Sequence, residues 1–314
     1  MTPAAPRRIA RVHPFAPEPS AAAEQFFVAN SAPDFGSDAG RLWTVVDSPF
    51  PGSPANANGA PRSGWEPGDT VSQDDFTFLA PSAPANVLGM AHNTGQAGRD
   101  LPAQAFHKAA TSVIGPGEAI ELTADVGLVE PEAELAVVVA RTARRLTLDN
   151  ARTAVLGYTI ANDVTARDLQ KSDELWLSAK SQDTFTPAGP WIVTGLDEAD
   201  LPVGIVHNGS ELATASTADL GWKVDEILVY LSAFMTLHPG DLVLTGFPAA
   251  TAPIQPGDTV TCRVGGIGEL TNPVTAARQA DPPPDVKGWG NGIACRARCR
   301  ADAADAAAGG TAAG

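Results

Sequence analysis

The sequence predicts a β-rich α+β fold, and three observations carry that expectation. Short runs rich in Val, Ile, Leu and Phe recur between joints of Gly, Pro, Asn and Asp. Few stretches show a helical period, and strands do not alternate with helices as a parallel doubly wound sheet requires. With 314 residues, 44% of them hydrophobic and 18% charged, the chain can bury a substantial core.

In chain order, residues 1–79 read as a small strand-rich subdomain with long loops. The strands "RIARV", "FFVAN" and "LWTVV" are separated by joints such as "SPFPGSPANANGAPRSG". Residues 80–278 form the main domain. In "NVLGMAHNTGQAGRD" (86–100), Val87 and Leu88 end a strand, and the glycines around His92 suggest a mobile loop. "AIELTADVGLVEPEAELAVVVA" reads as strand with a Pro joint. "LTLDNARTAVLG" predicts a short helix starting near Thr147 or Asp149 and ending before Gly157. "YTIAND" is a strand, and "VTARDLQKSD" turns from it into helix. The period in "STADLGWKVDEILVYLSAFMTL" sets Val224, Ile227, Leu228, Leu231 and Phe234 on one helix face. "GDLVLTGFP" and "GDTVTCRVGGIGELTNPV" are strands. Residues 279–314 open with a Pro run and close in Ala, Gly and Asp. Such a segment buries too little apolar surface to offset its ordering entropy, which predicts a disordered tail.

Composition narrows the function classes. A net charge of -15 argues against nucleic acid and anionic membrane as partners, because both demand Lys and Arg clusters. No apolar run approaches a membrane span, and no apolar region follows "MTPAAPRRIARVHPF", so a cytoplasmic protein without a signal peptide is expected. Cys262, Cys295 and Cys299 are too few for a disulfide framework, and the last two lack a second pair for zinc.

The chemistry concentrates in "LVEPEAELAVVV". Glu132 and Glu134 stand two apart at a strand start, where the period of two sets both carboxylates on one face. Two adjacent anions repel unless a cation lies between them, although a Glu-x-Glu on a solvent-facing edge is a common alternative. Asp163 follows the strand "GYTIAND" and supplies a third carboxylate. Three such groups brought together would make an oxygen site for Mg²⁺ or Mn²⁺ with positions left for a chelating substrate.

The segments "EPEAELAVVVAR", "GYTIANDVTARDLQ", "KSQDTFTPAGPWIVT", "MTLHPGDLVLTGFPA" and "PGDTVTCRVGGIGELTNPV" stand in the order found in the fumarylacetoacetate hydrolase family. The resemblance spans residues 76–278 and is loose before them. It implies a rolled mixed β-sheet, a homodimer, and one Mg²⁺ or Mn²⁺ that chelates the 2-oxo acid end of a small anionic substrate. Carried over by position, Glu132, Glu134 and Asp163 are the metal ligands and Lys180 is the active-site lysine. Arg167, Gln170 and Thr245 face the substrate, and Asp183 and Gly189 match recurrent positions. Outside that context, Arg167 would read as an ion-pair partner of Asp168, and Lys180 as a solvated lysine.

The resemblance implies a metal-dependent enzyme of small-molecule or aromatic catabolism that acts through an enolate. C–C bond hydrolysis of an acylpyruvate-like compound is the leading expectation, with isomerisation, decarboxylation or dehydration as the alternative. A non-catalytic ligand-binding homologue is a second alternative, against which the retained Lys180 and "TARDLQ" argue. Two departures stand out. Hydrolytic members carry a His-x-x-Glu pair that activates water, and those positions are Gly95 and Gly98 here. His92, three residues earlier, is either a displaced base or an ordinary loop histidine. Phe247 replaces a threonine that often contacts the substrate carboxylate, which implies a more apolar or a shortened pocket.

Overall fold

The computed structural model describes residues 7–15, 25–32, 38–50, 65–123, 126–247 and 249–277. The expected tail at 279–314 with Cys295 and Cys299, much of the Pro-rich joint before residue 65, and Pro248 lie outside them.

The strand Ala133–Val139 sits inside a twelve-stranded mixed sheet, and all seven of its residues are buried. Leu135, Val137 and Val139 pack into one apolar cluster, and Ala136 and Val138 into another. Burial on both faces explains why this strand reads as an unbroken apolar run instead of an alternation. On one side it pairs antiparallel with Val155–Asn162, Ala133 lying opposite Asn162. On the other it pairs with Leu242–Leu244, which runs parallel to Val87–Met90. Ala105–Lys108 then pairs antiparallel with Val87–Met90, Phe106 opposite Gly89. These pairings bring the ends of five segments, distant in sequence, to one corner of the sheet.

A six-stranded sheet built on Pro202–His207, Thr259–Val264 and Gly268–Ala276 lies against the first. Its Val203, Ile205, Val260, Cys262 and Leu270 share the cluster of Leu135 and Val137. Each aliphatic side chain so buried contributes about 1.5–3 kcal/mol against exposure, before entropy is counted. The predicted strands of the N-terminal region form at Arg7–Pro14, Phe26–Asn30 and Leu42–Val46. They hold their own cluster around Trp43, Phe26 and Phe76, yet join the large sheet where Arg7–Ile9 pairs with Ile192–Thr194. No helix among the described residues is long and apolar enough to cross a membrane.

Four local expectations are corrected. The helix expected in "LTLDNARTAVLG" is a single 3-10 turn, Ala151–Ala154, followed at once by strand. Gly157 therefore lies inside a strand, where a Cβ would collide with the Val193 carbonyl oxygen of the neighbouring strand. The helix Val224–Phe234 buries Val224, Ile227, Leu228 and Leu231 as the period predicts. Its last residue, Phe234, is 59% exposed, because the chain leaves the helix there and Ser232 turns inward to bond Leu146 N instead. Finally, the segment after His92, expected as a mobile loop, holds a short helix, Gly95–Asp100.

Candidate active site

The carboxylates are set by strand ends. Glu132 precedes the strand Ala133–Val139 and Asp163 follows Val155–Asn162, so antiparallel pairing brings both to the same edge. One backbone and one side-chain clip lock that register: Asp163 N donates to Glu132 O at 2.9 Å, and Glu132 N donates to the buried Asn162 Oδ1 at 3.0 Å. Glu134 is 2% exposed and accepts from Gly246 N at 2.5 Å, beyond the end of Leu242–Leu244. Glu132, Glu134 and Asp163 each offer an oxygen, all within 4.8 Å of one another.

Three cations surround them. Lys180 ends the helical turn Leu177–Lys180 and is buried. Its Nζ donates to Asp163 Oδ2 at 2.5 Å and to Glu132 Oε2 at 2.8 Å. Lys108, wholly buried, donates from Nζ to Asp163 Oδ1 at 2.5 Å and to Val164 O at 3.3 Å. Arg167 donates from Nε to Glu130 Oε2 and from Nη2 to Glu132 Oε1, both at 2.6 Å, and from Nη1 to Gln170 Oε1 at 3.1 Å. Glu130 and Glu132, not the neighbouring Asp168, are thus the carboxylates it meets.

The titration behaviour follows from this arrangement. Burial alone would push the Asp163 carboxyl up, but the Lys108 and Lys180 ammoniums outweigh it and hold the group below the ordinary range. Burial would lower Lys180, yet Asp163 and Glu132 keep it above the usual lysine value. Complete burial pulls Lys108 below that value against the attraction of Asp163. Glu134 behaves in the opposite way to Asp163. Burial raises it well above the ordinary value, the Asp163 and Glu132 charges raise it further, and the Gly246 N–H only partly opposes them.

Glu130, Glu132, Glu134 and Asp163 face Lys108, Lys180 and Arg167, so the carboxylates exceed the cations by one, and the excess falls on Glu134. An all-oxygen donor set with one uncompensated buried carboxylate fits a hard divalent cation. Glu132, Glu134 and Asp163 are the residues that could hold it.

Among the expected substrate-side residues, Gln170 touches Arg167. Thr245 is fully buried, and its hydroxyl donates to Leu135 O at 2.9 Å, so that group ties two strands together. Asp183 is exposed. His92 does not bond the carboxylates. Its ring stands edge-on to Trp176 at 5.2 Å between centroids. Trp176 in turn lies 5.7 Å from Phe106, over whose ring Lys180 Nζ stands at 4.7 Å.

The segment after His92 is pinned from behind. Asn93, 1% exposed, donates from Nδ2 to Thr245 O and Trp222 O and accepts from Trp222 N. Thr94 Oγ1 donates to Phe247 O. Gly98 is buried, and a Cβ there would collide with the His92 carbonyl oxygen. A Cβ at Gly221 would likewise crowd Arg99 N, at 2.7 Å. The glycine at 98 is thus demanded by close backbone packing.

Sequence reasoning missed Lys108, Glu130, Asn162 and the Gly246 N–H. For Lys108 the available signal was the alternation in "AFHK", which sets Phe106 and Lys108 on the same face of a strand. Nothing in the sequence names Asp163 as its partner.

The chain matches the family model described as fumarylacetoacetate (FAA) hydrolase C-terminal over residues 82–275. The Mycobacterium tuberculosis protein Rv2993c is 44% identical over 209 residues, 64% of this chain and 79% of its own. A mitochondrial oxaloacetate tautomerase of Bos taurus is 33% identical over 223 residues, 65% of this chain and 71% of its own. The crystal structure of 2-hydroxyhepta-2,4-diene-1,7-dioate isomerase from Mycobacterium marinum superposes with a TM-score of 0.74 at 34% identity, covering 87% of this chain and 99% of that one.

Proposed function

The chain belongs to the fumarylacetoacetate hydrolase family, and from that premise we propose that it is an isomerase or tautomerase of 2-oxo or 1,3-diketo acids. The observation that carries this reading is the packing at Gly98. The position where a hydrolytic member places its glutamate has no room for a side chain, and Gly95 offers no imidazole three residues before it. A reaction that only moves a proton needs no water driven onto a carbonyl, so it tolerates that loss. The similarity to a tautomerase and to an isomerase supports the same choice.

In this reading Glu132, Glu134 and Asp163 would hold Mg²⁺ or Mn²⁺, which when bound supplies Lewis-acid polarisation of the keto group. Lys180 holds a proton on Nζ beside the cluster, kept there by Asp163 and Glu132. Lys108 fixes the far oxygen of Asp163 and so sets which oxygen Asp163 turns to the site. Arg167 braces Glu132 against Glu130. The substrate would be a small anionic 2-oxo acid, and the working unit a homodimer.

The deciding experiment supplies Mg²⁺ or Mn²⁺ and a panel of acylpyruvates, fumarylpyruvate, oxaloacetate and 2-keto-3-deoxy sugar acids, with products identified. Keto–enol interconversion without C–C cleavage is the expected result. Release of pyruvate from an acylpyruvate would replace this reading with hydrolysis. One observation favours that second reading: His92 stands across Trp176 from Phe106 and Lys180, on the rim of the same site.

A further inference from the structure

We infer that the 2-oxo acid taken by this site carries an apolar, aryl-sized group at its far end and not a second carboxylate. The inference rests on the proton-transfer reading above and adds the class of substrate to it.

Two independent features converge. The first is electrostatic. Among the described residues bonded to the carboxylate cluster, each cation is already engaged with a carboxylate of the site itself: Lys108 with Asp163, Lys180 with Asp163 and Glu132, Arg167 with Glu130 and Glu132. All three Arg167 guanidinium nitrogens donate within the site. A divalent cation would answer the 2-oxo acid end. A second substrate carboxylate would find none of these three cations left to pair with it, and would be desolvated without a partner.

The second feature is an aromatic wall that begins at the cluster and leads outward. Gly89 lies opposite Phe106 on adjacent strands, and a Cβ at Gly89 would collide with the Phe106 ring. The glycine thus lets that ring fold down across the strand, where its face meets Lys180 Nζ at 4.7 Å. Trp176 continues the wall beside Phe106 and is tied to Lys180 through one helical turn, Lys180 N donating to Trp176 O at 2.9 Å. His92, exposed, ends it edge-on to Trp176. Phe247, half-buried against the apolar core, directly follows Gly246, whose N–H holds Glu134. Ring faces of this kind select flat apolar groups by edge-to-face and stacked contact.

The test compares phenylpyruvate with oxaloacetate on the full chain with Mg²⁺. In both, the catalysed step breaks one C–H bond at C3 and forms one O–H bond on the keto oxygen, with nothing consumed. Exchange of the C3 hydrogens for solvent deuterium, followed by NMR, reads it for either compound. We expect kcat/KM for phenylpyruvate to exceed that for oxaloacetate by about tenfold or more, the scale on which an apolar pocket discriminates. The Trp176→Ala variant should lower that ratio about tenfold, chiefly through KM, and Trp176→Phe should restore most of it. Oxaloacetate exchanged as well as or better than phenylpyruvate would overturn the aryl assignment while leaving proton transfer standing. So would a Trp176→Ala enzyme that keeps the ratio. Exchange of neither compound would overturn both this inference and the proposed function.

Discussion

The carboxylate centre and the segment 91–100 border the same site but are held together by opposite means. At the centre, charged side chains from distant strand ends neutralise one another at hydrogen-bond distance, with Asp163 gripped by two lysines. In the segment, backbone carbonyls, Asn93 and the close-packed Gly98 do the holding, and its one ion pair, Arg99 with Glu226, lies at the surface. One region is made to place charge, the other to place backbone. A hydrolytic dyad would require the second region to do the work of the first.

The largest effect should come from removing charge at the centre. Glu134→Ala is expected to abolish Mg²⁺ binding measured by calorimetry and to lower kcat/KM by about 10²–10³-fold, the scale for losing one preorganised electrostatic group. Turnover unchanged in a variant that no longer binds metal would remove the metal from the reaction. Next comes the attempt to rebuild the dyad. Gly98→Glu should destabilise the fold by about 1–3 kcal/mol through overpacking against the His92 carbonyl, read as a lower Tm, without producing a hydrolase. A Gly98→Glu protein of unchanged Tm would erase the packing argument.

The centre should also respond to pH in a particular sense. Glu134 is raised in the folded chain, so its protonated form contributes stability at low pH. That contribution is lost as pH rises through the folded value, above the ordinary carboxylate range. Tm of the metal-free protein should therefore fall over that interval, and Mg²⁺ should oppose the fall. Because binding displaces the Glu134 proton, Mg²⁺ affinity should climb over the same interval by up to about tenfold per pH unit. Affinity independent of pH would mean that Glu134 is already ionised. The smallest effect is expected at the rim, where His92→Ala should change kcat by less than about threefold, far from the 10²–10⁴-fold of a general base. A large loss with the fold intact would make His92 the displaced base and revive hydrolysis.

Much of the fold was legible because the signals are local. The strands at Arg7–Pro14, Ala133–Val139 and Thr259–Val264 follow from apolar β-forming runs, and Val224–Phe234 from its period. "LTLDNARTAVLG" misled because helix-like spacing around Ala151 and Ala154 is shared by a single 3-10 turn packed into the core. In the site, the three carboxylates and Lys180 were legible through long ordered segments. Lys108 was not, since its partner Asp163 is 55 residues away and only strand pairing joins them.

By itself, then, the sequence determined which groups are available: apolar strand-forming runs, three carboxylates at strand ends, a lysine, and glycines where a dyad would stand. The tertiary structure alone decided how they meet. It set Lys108 on one oxygen of Asp163 and Lys180 on the other, turned Gly98 from a missing side chain into a required backbone contact, and brought the rings of Phe106, Trp176 and His92 into a row beside Lys180. The physical reason is range. Propensity and burial act over a few residues and leave a trace in composition, whereas ion pairing and close packing join residues that the chain order keeps apart.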